Sequence, residues 1–225
     1  LDIDSLTLKN GEIAYQEKSE KSGLEGEINF GSVNCTLTGI SNINKNDTLF
    51  LTATSSFMNA ASVQVDVEFP LGKNYFDCKG TITDLPFKNL NKITDPTAGI
   101  LFNKGNIKRL AFNMRADMDS SRGELIFEYN DLDFAVQNKP GGDTTGLKST
   151  IISYVASDVV VPTNIPQEGK VLKAGIISNP RNPERFMFSY IWRSIFAGVK
   201  SAMVENMQEK KTKKRKSWFD GWFGG

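Results

Sequence analysis

The chain reads as a mainly β protein, an antiparallel sheet with a few short helices and an amphipathic helix near its C-terminal end. Three observations predict this. Apolar residues alternate with polar ones over the first 138 or so positions, glycine-led turn phrases recur between the alternating runs, and the last long apolar run switches to helical spacing.

The alternation is clearest in Val63, Val65, Val67 and Phe69 set against Gln64, Asp66 and Glu68. It repeats in Leu110, Phe112, Met114 and Ala116 set against Asn113, Arg115 and Asp117. A period of two puts one set on each face of a strand, so both segments read as half-buried antiparallel strands. A phrase of Gly, a polar residue and Ile or Leu recurs at Gly11, Gly26, Gly80, Gly105 and Gly123. Its irregular spacing predicts a meander with variable turns, each glycine opening a strand with positive-φ geometry. Helical breaks are expected near Phe87 to Ile93 and from about Thr145 to Val159, where Leu147, Ile151, Val155 and Val159 fall four apart. Pro140-Gly141-Gly142 marks the loop before the second of these, and a last strand is expected around Lys170 to Ile177.

Asn179-Pro180-Arg181-Asn182-Pro183 stops that strand, and a third helix is expected from about Pro183 to Phe186 onward. Phe188, Ile191, Trp192, Ile195, Phe196, Val199, Ala202 and Met203 fit one apolar face, with Ser189, Arg193, Ser194 and Lys200 off it. Such a helix either lids the sheet core or presents Trp192 and Phe196 to a membrane or a partner. The organisation expected is a sheet domain over residues 1–178, an amphipathic helix over 179–207 and a basic-aromatic disordered tail over 208–225.

The tail holds the one dense charge motif. Lys210, Lys211, Lys213, Lys214, Arg215 and Lys216 crowd together, followed by Trp218, Phe219, Trp222 and Phe223 among glycines. Polybasic segments gain about 1 kcal/mol per Lys or Arg at an anionic bilayer, and aromatic rings favour the headgroup level. The pairing therefore reads as a membrane-surface contact, against the alternatives of a solvated end and of nucleic-acid phosphates with base stacking. Residues 1–204 carry 21 basic against 23 acidic groups, so no basic excess extends the tail into a nucleic-acid face.

Composition argues against catalysis. The 225 residues include no histidine, which removes the commonest general base, the commonest metal ligand and the base of most nucleophilic triads. Cys35 and Cys78 fit no metal or redox motif; they read as two ordinary thiols or, in an oxidising compartment, as a pair. The carboxylate pairs Glu25 with Glu27, Asp117 with Asp119, and Asp131 with Asp133 sit where charges decorate hairpin ends and solvent faces, and no phosphate-binding glycine loop is present. Neither a metal, a cofactor nor an enzymatic activity is expected. No run of about 18 apolar residues spans a bilayer, and Leu1, which is not preceded by a signal-like segment, reads as a processing site with any anchor upstream.

Three stretches carry a resemblance: the hairpin from Gly105-Asn106-Ile107-Lys108-Arg109-Leu110 to Gly123-Glu124-Leu125-Ile126-Phe127-Glu128-Tyr129, the opening Leu6-Thr7-Leu8-Lys9-Asn10-Gly11-Glu12-Ile13, and the ending Asn182-Pro183-Glu184-Arg185-Phe186 to Trp192-Arg193-Ser194-Ile195. Over roughly Leu1 to Lys200 the chain resembles the C-terminal region of AsmA-like proteins of Gram-negative bacteria, most of all the Bacteroidetes type. The resemblance implies an elongated, curled sheet with an apolar concave face, in a periplasmic protein anchored to the inner membrane through an upstream helix. It implies a part in carrying phospholipid between the two membranes and in outer-membrane biogenesis, with phospholipid, a membrane surface or outer-membrane assembly proteins as partners. The alternating sets Val63, Val65, Val67 and Phe69, and Leu110, Phe112 and Met114, are the candidate lipid groove; a closed sandwich core is the other reading of the same residues, in a structural or interaction module of the envelope.

Overall fold

The computed structural model describes residues 2–18, 23–41, 47–136, 163–167, 172 and 174–203. The helix expected from Thr145 to Val159 and the tail from residue 208 lie outside them.

Eight strands form one open antiparallel sheet in strict chain order, the meander that period-two alternation with short turns dictates. They are β1 (Asp2–Lys18), β2 (Glu25–Ser41), β3 (Thr48–Phe57), β4 (Ala61–Pro70), β5 (Tyr75–Pro86), β6 (Ile100–Asp117), β7 (Ser120–Val136) and β8 (Gly175–Pro180). The long strands are elongated indeed: 17 residues of β1 span about 55 Å at strand rise. Between β5 and β6 a 3-10 turn, Phe87–Leu90, leads into α1 (Asn91–Ala98). A second helix, α2, covers residues 187–203.

The long strands bend at single residues in left-handed conformation: Asn10 in β1, Ser32 in β2, Asp84 in β5 and Asp131 in β7. Pairing shifts by one residue at Leu8/Gly11, between Gly31 and Asn34, and around Lys104. Asn and Asp tolerate this backbone better than other side chains, and each extra residue bends its strand and increases its twist.

Alternation sorts the two faces strictly. The outer face carries Thr7, Thr36, Thr52, Asp66, Lys79, Asn113 and Glu124 as successive cross-strand partners. Arg115 holds Asp77 there through two 2.7 Å bonds. The inner face carries the core: Phe57, Val63, Val67, Cys78, Ile82, Leu110, Phe112, Met114, Leu125 and Ile177 are all buried.

Across this concave face lies α2, which joins the two edges of the sheet. On the β8 side the Gly198 carbonyl packs so near Gly175 that a Cβ there would meet it at 2.2 Å. On the β1 side Phe188 stacks on Tyr15 at 4.7 Å, and Glu17 accepts hydrogen bonds from Arg185 at 3.3 Å and Arg193 at 3.4 Å. Helix and sheet thus share one core, and the boundary expected at residue 178 does not separate two packing units.

Several expectations need correction. Gly11, Gly80 and Gly105 lie inside β1, β5 and β6 rather than opening them, and of the five phrase glycines only Gly105 has positive φ, at 108°. The others allow close approach: a Cβ on Gly80 would sit 2.7 Å from the Phe112 ring, and one on Gly26 would sit 2.6 Å from Ile93 of α1. The last strand starts at Gly175 and runs through Asn179-Pro180, and α2 starts at residue 187 after a turn. Ser189 and Ser194, expected off the apolar face, are buried; the sheet curls far enough round α2 to cover more than one side of it.

Candidate functional site

The register shows how the concave face is built. Leu6, Leu37, Leu51, Val67, Cys78, Met114, Gly123 and Ile177 are successive partners, one from each strand. Leu8, Cys35, Ala53, Val65, Gly80, Phe112, Leu125 and Gly175 form the next row. Direct partners share a face, so these are two apolar bands running the full width of the sheet.

Burial along the bands is lopsided. Cys78, Met114, Phe112, Leu125 and Ile177 are buried, whereas Leu6 is 56% and Leu8 48% exposed. Leu37, Leu51, Cys35, Ala53 and Val65 are intermediate. The cause is the placement of α2, which presses on β7 and β8 through Gly198 and Ala202 and reaches β1 only near Tyr15 and Glu17.

Two apolar cavities remain under the helix. The larger, about 240 Å³, lies between α2 and β1–β6 and is lined by Phe30, Val33, Val63, Val65, Val67, Phe112, Phe188 and Trp192, among others. The smaller, about 70 Å³, is walled by Leu110, Phe127, Phe134, Phe196, Val199 and Met203, with Phe87 of the 3-10 turn closing one side. For scale, about 150 Å³ of dry apolar space holds one benzene ring.

The candidate groove residues divide accordingly. Val63, Val65, Val67 and Phe112 line the larger cavity and Leu110 the smaller, while Met114 is packed into the core and Phe69 stacks on Phe76 at 5.3 Å. Trp192 and Phe196 stand 4.6 Å from each other, line this interior and are each half-buried. Lys213, Lys214, Arg215, Trp218, Phe219, Trp222 and Phe223 lie outside the described residues. The residues the sequence reading passed over are Leu6, Leu8, Ile13, Phe30, Cys35, Leu37 and Leu51. Their alternation with Thr7, Lys9, Thr36, Thr38 and Thr52 was the available signal.

A cluster of buried polar groups sits where α2 meets β7 and β8. Ser194 donates to the Tyr190 carbonyl at 2.7 Å, which leaves Ser121 to donate to the Ser194 hydroxyl at 2.7 Å, with the Asn179 amide donating to it at 3.3 Å. This cluster pins α2 to β7 and β8 and has no free donor aimed at a cavity.

Burial, with a smaller effect of Asp66, pushes the Cys78 thiol up to about 12, and burial also raises Cys35; both cysteines are free thiols. Asp117 is held below the usual carboxylate range because it accepts the Ser120 and Asp119 amides, which makes it a turn residue. Among the described residues no group of three or more His, Cys, Asp or Glu could hold a metal ion, and no helix is long and apolar enough to cross a membrane. The site offers shape and apolar surface in place of reactive groups. No family model, curated protein or solved structure matches the chain.

Proposed function

We propose that this chain is a non-enzymatic, lipid-handling segment of an AsmA-like cell-envelope protein, which holds phospholipid acyl chains against its concave face as they pass between the inner and outer membranes. In this reading it works in the periplasm, held to the inner membrane by a part of the protein upstream. One observation carries the proposal: two apolar bands cross all eight strands, and at the β1 edge they are left bare, with Leu6 56% and Leu8 48% exposed. Leu6 and Leu8 stand about half exposed and Leu37 beside them is only partly covered, and a sheet face of that composition needs a cover. Acyl chains suit it because each buried methylene contributes about 0.8 kcal/mol without demanding a hydrogen bond. Headgroups would remain at the rim.

A second reading has an observation of its own. The tight seat of α2 at Gly175 and Ala202 is what a structural or protein-interaction module with a filled core would show. Native mass spectrometry with lipid extraction separates the two. Residues 1–225 and a version ending at Met207, gently purified from bacterial membranes, are both expected to retain phospholipid. Lipid retained only with the tail present reduces the role to surface anchoring, and lipid in neither favours the interaction module.

A further inference from the structure

The two cavities are not independent. Phe57, Ile82, Trp192 and Ile195 line both, so these four side chains are the wall between them. Phe57, Ile82 and Ile195 are buried and belong to the packed core. Trp192 differs: it is the largest of the four, only half-buried, and stands edge-on to Phe196 with its ring centroid 6.2 Å from that of Phe57.

The surroundings also define what can occupy the pair. No charged side chain lines either cavity, and the one polar group of the smaller, the Thr94 hydroxyl, is engaged by the Leu90 and Ile100 carbonyls. The larger cavity reaches the surface at Ile13, which is 48% exposed. Trp192 is part of the wall it shares with the smaller space, which extends to Met203 and Phe134. An apolar space entered at one end and continued in series fits an unbranched hydrocarbon chain entering tail first, with its polar end left at the Ile13 mouth.

We propose that Trp192 sets the length of acyl chain this site accepts, by standing as the partition between an entrance chamber of about 240 Å³ and a second chamber of about 70 Å³. The inference rests on the acyl-chain reading above and sharpens it: chains that stop at Trp192 are fully covered, and longer ones leave methylenes outside. Within the limit, each added methylene tightens binding about fourfold. Past the limit, further methylenes add nothing.

The full chain carrying Trp218→Phe and Trp222→Phe leaves Trp192 as the sole tryptophan, since the sequence has three. The probes are straight-chain fatty acids, in a series of increasing length, each brominated on the terminal carbon so that it quenches indole fluorescence on contact. Affinity is expected to rise about fourfold per methylene and then level off, with quenching greatest at the length where the rise stops. In the Trp192→Ala version, followed by calorimetry, the rise should continue to longer chains. A rise that stops at the same length in both proteins overturns the proposal, as does quenching that does not vary with length. The quenching series uses the native Trp192, so it decides the matter even if the alanine variant fails to fold. Should no chain of any length bind the protein, the acyl-chain reading itself falls, and this inference with it.

Discussion

The two halves of the concave face are built from the same kinds of residue and end in opposite states. On β5–β8 the bands run through Gly80, Gly123 and Gly175, and at Gly175 the missing side chain lets α2 settle almost onto the backbone, while the Phe112 ring lies over Gly80. At the β1 edge the same bands carry Leu6 and Leu8, which stand about half exposed, and Leu37 and Leu51 beside them are only partly covered, although Val67 of β4 is buried. The β5–β8 side is a structural core, and the β1 edge leaves apolar surface open.

The largest effect should come from filling the helix seat. Gly175→Val places a branched side chain where even a Cβ meets the Gly198 carbonyl at 2.2 Å, and should cost about 3 kcal/mol or more in urea unfolding. A loss under about 1 kcal/mol would mean that α2 is not held there in solution. Next comes Ser194→Ala, which strips the Ser121 hydroxyl and the Asn179 amide of their buried acceptor and should cost about 1–3 kcal/mol. The Ser121→Ala/Ser194→Ala pair should then be less damaging than the sum of the two single changes, the mark of a coupled contact.

On the bare half the expectation reverses. Leu6→Ser with Leu8→Ser should change stability by no more than about 0.5 kcal/mol each, yet lower the phospholipid retained in native mass spectrometry. A cost of several kcal/mol would show that those leucines are covered in the free protein, and would erase the contrast. The gentlest probe leaves the sequence intact. Cys35 sits in the Leu8 band and is half-buried, whereas Cys78 is buried with its thiol pushed up to about 12. A maleimide should therefore label Cys35 first by peptide mapping, and added phospholipid should slow that labelling without altering Cys78. Equal rates at the two cysteines would count against the division of the face.

Much of this was legible in the sequence, for a physical reason. Alternation is a local property, so Val63, Val65 and Val67 declared their shared face without any knowledge of neighbouring strands, and four-residue spacing did the same for Ile191, Trp192, Ile195 and Val199. What alternation leaves out is which faces meet. Leu6, Leu37 and Leu51 become one band only when three strands are paired in register, and none of their short runs stands out alone. The burial of Ser194 depends on Ser121, 73 positions away, and on a curl that local patterning does not encode. The glycines misled because glycine serves both turns and close approach, and the choice between them is made by what lies opposite: the Phe112 ring for Gly80, α1 for Gly26.

The single left-handed residues at Asn10, Ser32, Asp84 and Asp131 have a mechanical consequence. They crease the backbone itself, so the curvature of the sheet is carried by the chain's own hydrogen-bonded frame and not by whatever lies in the hollow. A vessel creased in this way keeps its shape when emptied. Its bare leucines then meet water instead of folding in on one another, at about 25 cal/mol for each Å² exposed. In the lipid-handling role proposed above, that standing penalty favours refilling over collapse.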